Sequence, residues 1–193
     1  MEKREAIINR TTRETDISLK LCLDGGLSKI DTGIGFFDHM LQAFATHGNF
    51  GLEVSVKGDL NVDGHHTVED TGIVLGCAFR EALGDKRGIK RFASSYIPMD
   101  EALAFCAVDV SGRAFLAYNA DMPQEKIGDY DSCLTKEFLR AFSDNAGITL
   151  HIRSEYGENA HHITEAMFKA LARAIREAVI RSGNELPSTK GVL

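Results

Sequence analysis

Two short stretches decide how this chain folds: "GHHTVED", residues 64–70, and "AHHITEA", residues 160–166. Each sets two adjacent histidines ahead of a glutamate, and each follows a helix-like segment of similar pattern. "HMLQAFATHG" (39–48) precedes the first stretch and "EFLRAFSDNAG" (137–147) the second. A repeat of about half the chain length is a duplication rather than a solenoid.

The flanking segments repeat in the same order. Ile17, Leu19, Leu21 and Leu23 alternate with other residues in "TDISLKLCLD" (15–24), the pattern of a half-buried strand, and "REAIINRTT" (4–12) is its hairpin partner. "GLEVSVKG" (51–58) alternates again, and a helix follows in which Val68, Ile73, Val74, Cys77 and Leu83 share a face. Asp63 is placed to cap this helix, with Gly84 near its end and Gly48 a stop for the shorter one. In the second half, 91–99 and 102–112 read as strands, with 114–120 a third. A helix over 131–147, a strand over 148–155 and a long amphipathic helix over 159–183 complete it. The expected fold is α+β: a duplicated strand–strand–helix–strand–helix unit forming two sheets, with helices packed on one face. The chain forms one functional unit of two repeats, about residues 1–90 and 91–193.

Composition narrows the function. The 193 residues carry a net charge of -6 and no long Lys/Arg run, which disfavours nucleic acid or an anionic membrane as the main partner. The opening "MEKREAIINR" lacks the apolar core of a signal peptide, and no stretch reaches membrane-spanning length. Cys22, Cys77, Cys106 and Cys133 show no CxxC spacing and read as reduced, packed cysteines of a cytoplasmic protein.

On a helix, positions i and i+4 share a face, so His65 converges with Glu69 and His161 with Glu165. His66 and His162 point elsewhere. One helix cannot surround an ion. Two related helices facing each other can, each giving its HxxxE pair to one ion and its spare histidine to another. The duplication adds His39 and, opposite it in the repeat, Glu137. Imidazole and carboxylate donors without sulfur suit manganese, iron or zinc. His47 and His151 lack such pairing and read as structural or supporting, while Asp70 orients a ligand or caps. "DTGIGFFDH" lacks nucleotide-loop spacing and reads as turns.

These residues also carry a resemblance. "TGIGFFDHML", "DGHHTVED", "AVDVSGRAF", "TLHIRSEYGENAHHITEAMFKALARAI" and "PSTKGVL", in this order, closely resemble the imidazoleglycerol-phosphate dehydratase family of histidine biosynthesis. The resemblance implies a duplicated, ribosomal protein S5 domain 2-like fold. It also implies trimers assembled into a 24-subunit cage, with two manganese(II) ions per active site at subunit boundaries. It assigns one ion to His39, His66, His161 and Glu165. The other falls to His65, Glu69 and His162, with a fourth ligand at Glu137 or, failing that, His151. The same likeness points to Arg91, Arg113, Lys169, Ser188 and Lys190 for the substrate phosphate. Its catalytic set is Glu14, His65, His162 and Glu165, with Glu14 moving the carbon-bound proton.

The implied reaction takes water from imidazole glycerol phosphate to give imidazole acetol phosphate. The departing proton lies next to no carbonyl. Metals on both ring nitrogens would make the ring an imidazolate able to expel the neighbouring hydroxyl. A two-metal phosphate-ester hydrolase is the alternative enzyme, and a metal-storage protein the non-enzymatic one.

Overall fold

The computed structural model describes residues 3–191 and residue 193. Its first half contains β1 (Glu5–Thr11), β2 (Thr15–Cys22), β3 (Ser28–Asp31), α1 (Gly35–Gly48), β4 (Gly51–Gly58) and α2 (His65–Leu83). The second half runs β5 (Phe92–Met99), β6 (Ala102–Asp109), β7 (Phe115–Asn119), the two-residue strands β8 (Lys126–Ile127) and β9 (Tyr130–Asp131), α3 (Leu134–Ala146), β10 (Thr149–Tyr156) and α4 (Ala160–Ala178). The two main sheets have matching orders, β1-β2-β4-β3 and β5-β6-β10-β7. In each, the last pair is parallel and the others antiparallel.

The duplication is therefore present in three dimensions: the third strand expected over 114–120 is β7, and its counterpart in the first repeat, β3, was not expected. β3 spans only four residues, too few for alternation to mark it, and is recognised by its parallel pairing with β4. The last helix ends earlier than its periodicity suggested. Beyond Ala178 the chain turns back along residues 88–91, where Lys90 N–H donates to Ile180 O and Arg91 N–H to Ala178 O.

Alternation decides what each sheet buries. Ile17, Leu19 and Leu21 of β2, and Ala104, Cys106 and Val108 of β6, point into the core while their neighbours face outward. The helices cover the inner faces: α2 lies on β1, β2 and β4, and α4 on β5, β6 and β10. The long helices do not pair with each other. Each takes the short helix of the other repeat, α2 on α3 and α4 on α1.

The α2–α3 approach requires glycine. A Cβ at Gly72 would lie 2.8 Å from Phe138 O, and one at Gly76 would lie 2.7 Å from Phe142 O. At the end of α1, Asn49, and not Gly48, adopts the left-handed capping conformation (φ 51°). Gly48 is instead needed for space, because a Cβ there would meet the Phe50 ring.

Candidate active site

Matching positions of the repeat hold the start of both HH helices, Asn159 as the N-cap of α4 and Asp63 one residue ahead of Gly64, the N-cap of α2. Asp63 Oδ1 accepts from His65 N–H (2.7 Å), and Asn159 Oδ1 accepts from His161 N–H (2.9 Å). This fixes the first turn of each helix, and the paired rings splay apart from it. The ring planes of His65 and His66 meet at 87°, and those of His161 and His162 at 76°.

Three of the candidate ligands meet within a single chain. Because α1 packs on α4, His39 reaches the second HxxxE pair. Glu165 Oε2 lies 3.3 Å from both His39 Nε2 and His161 Nε2. Among the described residues these three form a group whose ligand atoms all lie within 4.8 Å of one another. Metal–ligand bonds of about 2.1 Å place neighbouring ligands of a tetrahedron about 3.4 Å apart, so the spacing and the N,N,O donor set fit a divalent ion. The Phe36 ring backs both imidazoles. Glu165 is 7% exposed, and its other oxygen takes a 2.6 Å ion pair from Lys169. Burial pushes its carboxyl up, but Lys169 and His39 outweigh this and hold it below the usual value.

His66 does not join that group. Its Nδ1 faces Asp59 at 3.0 Å and its Nε2 lies 3.8 Å from Glu14 Oε1, a consequence of α2 lying on α3 rather than facing α4. The hydrogen bond to Asp59 raises its pKa. His65 and Glu69 pair at 3.4 Å, both part-exposed. His162 turns to Glu101, whose Oε2 is 2.6 Å from Nδ1, while its Nε2 stands 3.6 Å from Asp100. That bond raises the pKa of His162 and lowers Glu101 to about 2.

Glu137 sits in the first turn of α3, 3.5 Å from Arg140. His151 lies on the outward face of β10 beside Phe115, away from the helices. His47, in the last turn of α1, has its pKa lowered by burial and then by Lys169 and Arg173. Asp70 neither caps nor touches a candidate ligand; it holds Thr15 and Arg10.

The candidate phosphate groups divide in two. Arg91 Nε binds Asp109 Oδ1 at 2.7 Å and its Nη1 donates to Pro187 O, with Arg113 3.8 Å from the same aspartate. Ser188 and Lys190 follow directly on that segment, where Lys190 N–H donates to Ser188 Oγ. Lys169 lies elsewhere, its Nζ 3.3 Å from Met99 Sδ. Arg91 precedes the first residue of β5 and Met99 is its last. Eight residues of strand separate these ends by more than about 20 Å.

Sequence reasoning passed over Asp59 and Glu101. They occupy unrelated positions in the two repeats, and only the fold brings them to equivalent histidines.

Imidazoles and carboxylates clustered on the helices of a duplicated α+β fold form the kind of side-chain group that enzyme sites use. The match to known proteins narrows this. The family model for imidazoleglycerol-phosphate dehydratase covers residues 32–175. The imidazoleglycerol-phosphate dehydratase of Gluconobacter oxydans is 58% identical, the alignment covering 100% of this chain and 99% of the relative. That of Acetivibrio thermocellus is 53% identical over 98% of this chain and 99% of its own. Among solved structures, the Staphylococcus aureus enzyme superposes with a TM-score of 0.84 at 40% identity, covering 92% of this chain and 99% of that one. The Pyrococcus furiosus enzyme in complex with (S)-C348 gives 0.85 at 38% identity, covering 96% and 100%. The chain belongs to the imidazoleglycerol-phosphate dehydratase family, and its activity is that of a dehydratase, a carbon–oxygen lyase. No described helix is long and apolar enough to cross a membrane.

Proposed function

We propose that this chain converts imidazole glycerol phosphate to imidazole acetol phosphate and water in the cytoplasm, using two manganese ions at sites completed by neighbouring copies. The observation that carries the metal reading is the convergence of His39, His161 and Glu165 on one small volume. One ion would be held by these three, with His66 from another copy. The second would be held by His65, Glu69 and Glu137, with His162 from another copy. Bound to the substrate ring, the ions would supply positive charge that acidifies its N–H and lets the ring stabilise loss of the neighbouring hydroxyl.

The chain's own residues do the rest. The Glu14 carboxylate, exposed in the β1–β2 turn, takes the proton from the carbon beyond the one that loses hydroxide. The departing hydroxide takes up a proton from solvent and leaves as water, and Glu14 returns the carbon-derived proton to solvent. The enol that remains becomes the ketone as its O–H proton is lost and one is added to the ring-side carbon. Arg91, Arg113, Ser188 and Lys190 bind the phosphate through guanidinium, hydroxyl and ammonium donors. Since Lys169 stands at the other end of β5, one phosphate draws on both groups only across a chain boundary. Trimers built into a 24-subunit cage would supply such boundaries.

Metal analysis combined with a dehydratase assay before and after chelation tests this reading. About two ions per chain, with activity lost on chelation and restored by manganese, are expected. Release of inorganic phosphate in place of dehydration would return the site to the hydrolase reading. Full activity in a metal-stripped protein would remove the ions from the reaction.

A further inference from the structure

The second histidine of each HH pair has a feature that the repeat does not encode. His66 Nδ1 lies 3.0 and 3.2 Å from the two oxygens of Asp59, in the loop between β4 and α2. His162 Nδ1 lies 2.6 Å from Glu101 Oε2, in the turn between β5 and β6. Asp59 precedes its histidine by seven residues, and Glu101 precedes its own by 61. Two unrelated loops thus deliver a carboxylate to the same ring nitrogen of equivalent histidines. The first histidines behave differently, since His65 and His161 meet their i+4 glutamates through Nε2.

We propose that Asp59 and Glu101 are positioning residues that hold the Nδ1–H of His66 and His162, fixing ring orientation and presenting Nε2 as the ligand atom. A neutral imidazole has one donor and one acceptor nitrogen, and a carboxylate can only accept, so the lone pair is left on Nε2. Such partners orient a metal-binding histidine and raise its basicity.

Glu101 is itself anchored for the task. Its Oε1 accepts from Glu158 N–H (3.1 Å) and Asn159 N–H (2.9 Å), leaving Oε2 for the imidazole. Both oxygens are therefore engaged, which makes Glu101 a support rather than a ligand. Asp59 is tied to the Glu14 turn, its N–H donating to Glu14 O at 3.0 Å. The same connection that orients His66 thus sets the position of the proposed base.

This inference rests on the reading of the HH pairs as metal ligands, and the experiment separates the two. Manganese binding to the intact oligomer would be measured by the loss of the free-ion electron paramagnetic resonance signal, for wild type, Asp59→Asn, Glu101→Gln and Glu101→Ala. Thermal unfolding of each metal-free protein would be followed in parallel. Glu101→Ala should weaken binding by about 10- to 100-fold at one of the two ions. Glu101→Gln, which keeps an accepting oxygen without the charge, should weaken it less. Unchanged affinity in a folded Glu101→Ala oligomer would overturn the proposal.

Binding of no manganese by wild type would sink the metal reading instead. The histidine tautomer would then decide the positioning claim. Ring ¹⁵N shifts of metal-free protein by solid-state nuclear magnetic resonance, at a pH where the rings are neutral, should show His162 protonated at Nδ1. That preference should be lost in Glu101→Ala. Its persistence there, or a wild-type ring protonated at Nε2, would overturn the assignment, and the wild-type spectrum alone applies the second criterion if Glu101→Ala fails to assemble.

Discussion

The Thr15 hydroxyl donates a 2.5 Å hydrogen bond to Asp70 Oδ2, tying the turn that carries Glu14 to the helix that carries His65 and His66. Arg10 Nη1 lies 2.6 Å from the same oxygen, and Thr12 Oγ1 accepts from the N–H groups of Glu14 and Thr15. Thr15 and Asp70 are both buried, so the bond is shielded from water. Thr15→Val keeps the shape and removes the donor. It should cost about 1 kcal/mol of stability and lower kcat while leaving manganese content unchanged. Denaturant unfolding and metal analysis on the same preparation check both halves.

The Glu14 side chain is exposed and, among the described residues, its carboxylate pairs only with His66, at 3.8 Å, so replacing it leaves the backbone bonds of its turn in place and isolates chemistry from folding. Glu14→Gln should lower turnover by about 100-fold or more, the range of general acid–base contributions, with metal content and melting temperature intact. Steady-state assays across variants decide it. Unchanged turnover would remove Glu14 from the mechanism.

The Glu101–His162 pair makes the metal-free protein pH-sensitive in a defined direction. Glu101 is lowered to about 2 from 4.5, so its contribution is present above the unfolded value and is lost as pH falls through about 2. His162 is raised above 6.5, so its contribution is present below that value and is lost as pH rises through the raised pKa. The melting-temperature difference between wild type and Glu101→Gln should therefore be greatest between about 4.5 and 6.5 and shrink on either side. Calorimetric scans of chelated protein across this range measure it. A difference that does not vary with pH would mean that the ion pair does not form in solution.

How much of this was readable in sequence depended on whether a residue's partner lay on its own helix. His161 with Glu165, and His65 with Glu69, follow from the i, i+4 relation alone. The duplication marked His39 as a further donor, its grouping with His161 was implied only by the family resemblance, and the two meet because α1 crosses to the other repeat's long helix. Within one chain the two HH helices do not face each other, since each packs on the short helix of the other repeat, so a meeting of the two HH pairs needs a second copy. Asp59 and Glu101 were invisible because a loop carboxylate has no periodicity. The β4–α2 loop and the β5–β6 turn are not equivalent places in the repeat, so the duplication could not point to them either.

The α2–α3 contact gives a test of the packing that sets this geometry. Gly76 faces Phe142 O at 2.7 Å, Asn145 Cβ at 2.8 Å and Ala146 N at 2.9 Å from where a Cβ would stand. Two of these are backbone atoms in a regular helix and cannot rotate away. Gly76→Ala should therefore destabilise the fold by about 1–3 kcal/mol despite the better helix propensity of alanine. Chemical denaturation measures the sign, and a more stable variant would mean that the helices can separate at little cost.

Arg113 and Lys169 provide the most direct test of sites shared between chains. Arg113 is largely exposed near Asp109, at the Arg91 end of β5, while Lys169 contacts Met99 at the other end. Arg113→Ala and Lys169→Met should each lose activity through the substrate phosphate, seen as a raised KM. If every phosphate takes Arg113 from one chain and Lys169 from another, co-expressing the two variants regenerates some intact sites. Random pairing in a symmetric oligomer would restore about a quarter of wild-type activity. Were both residues to serve one site from the same chain, each mixed site would still carry a lesion and co-expression would restore nothing. Differently tagged copies, purified in tandem so that only mixed oligomers are assayed, make the two outcomes distinguishable.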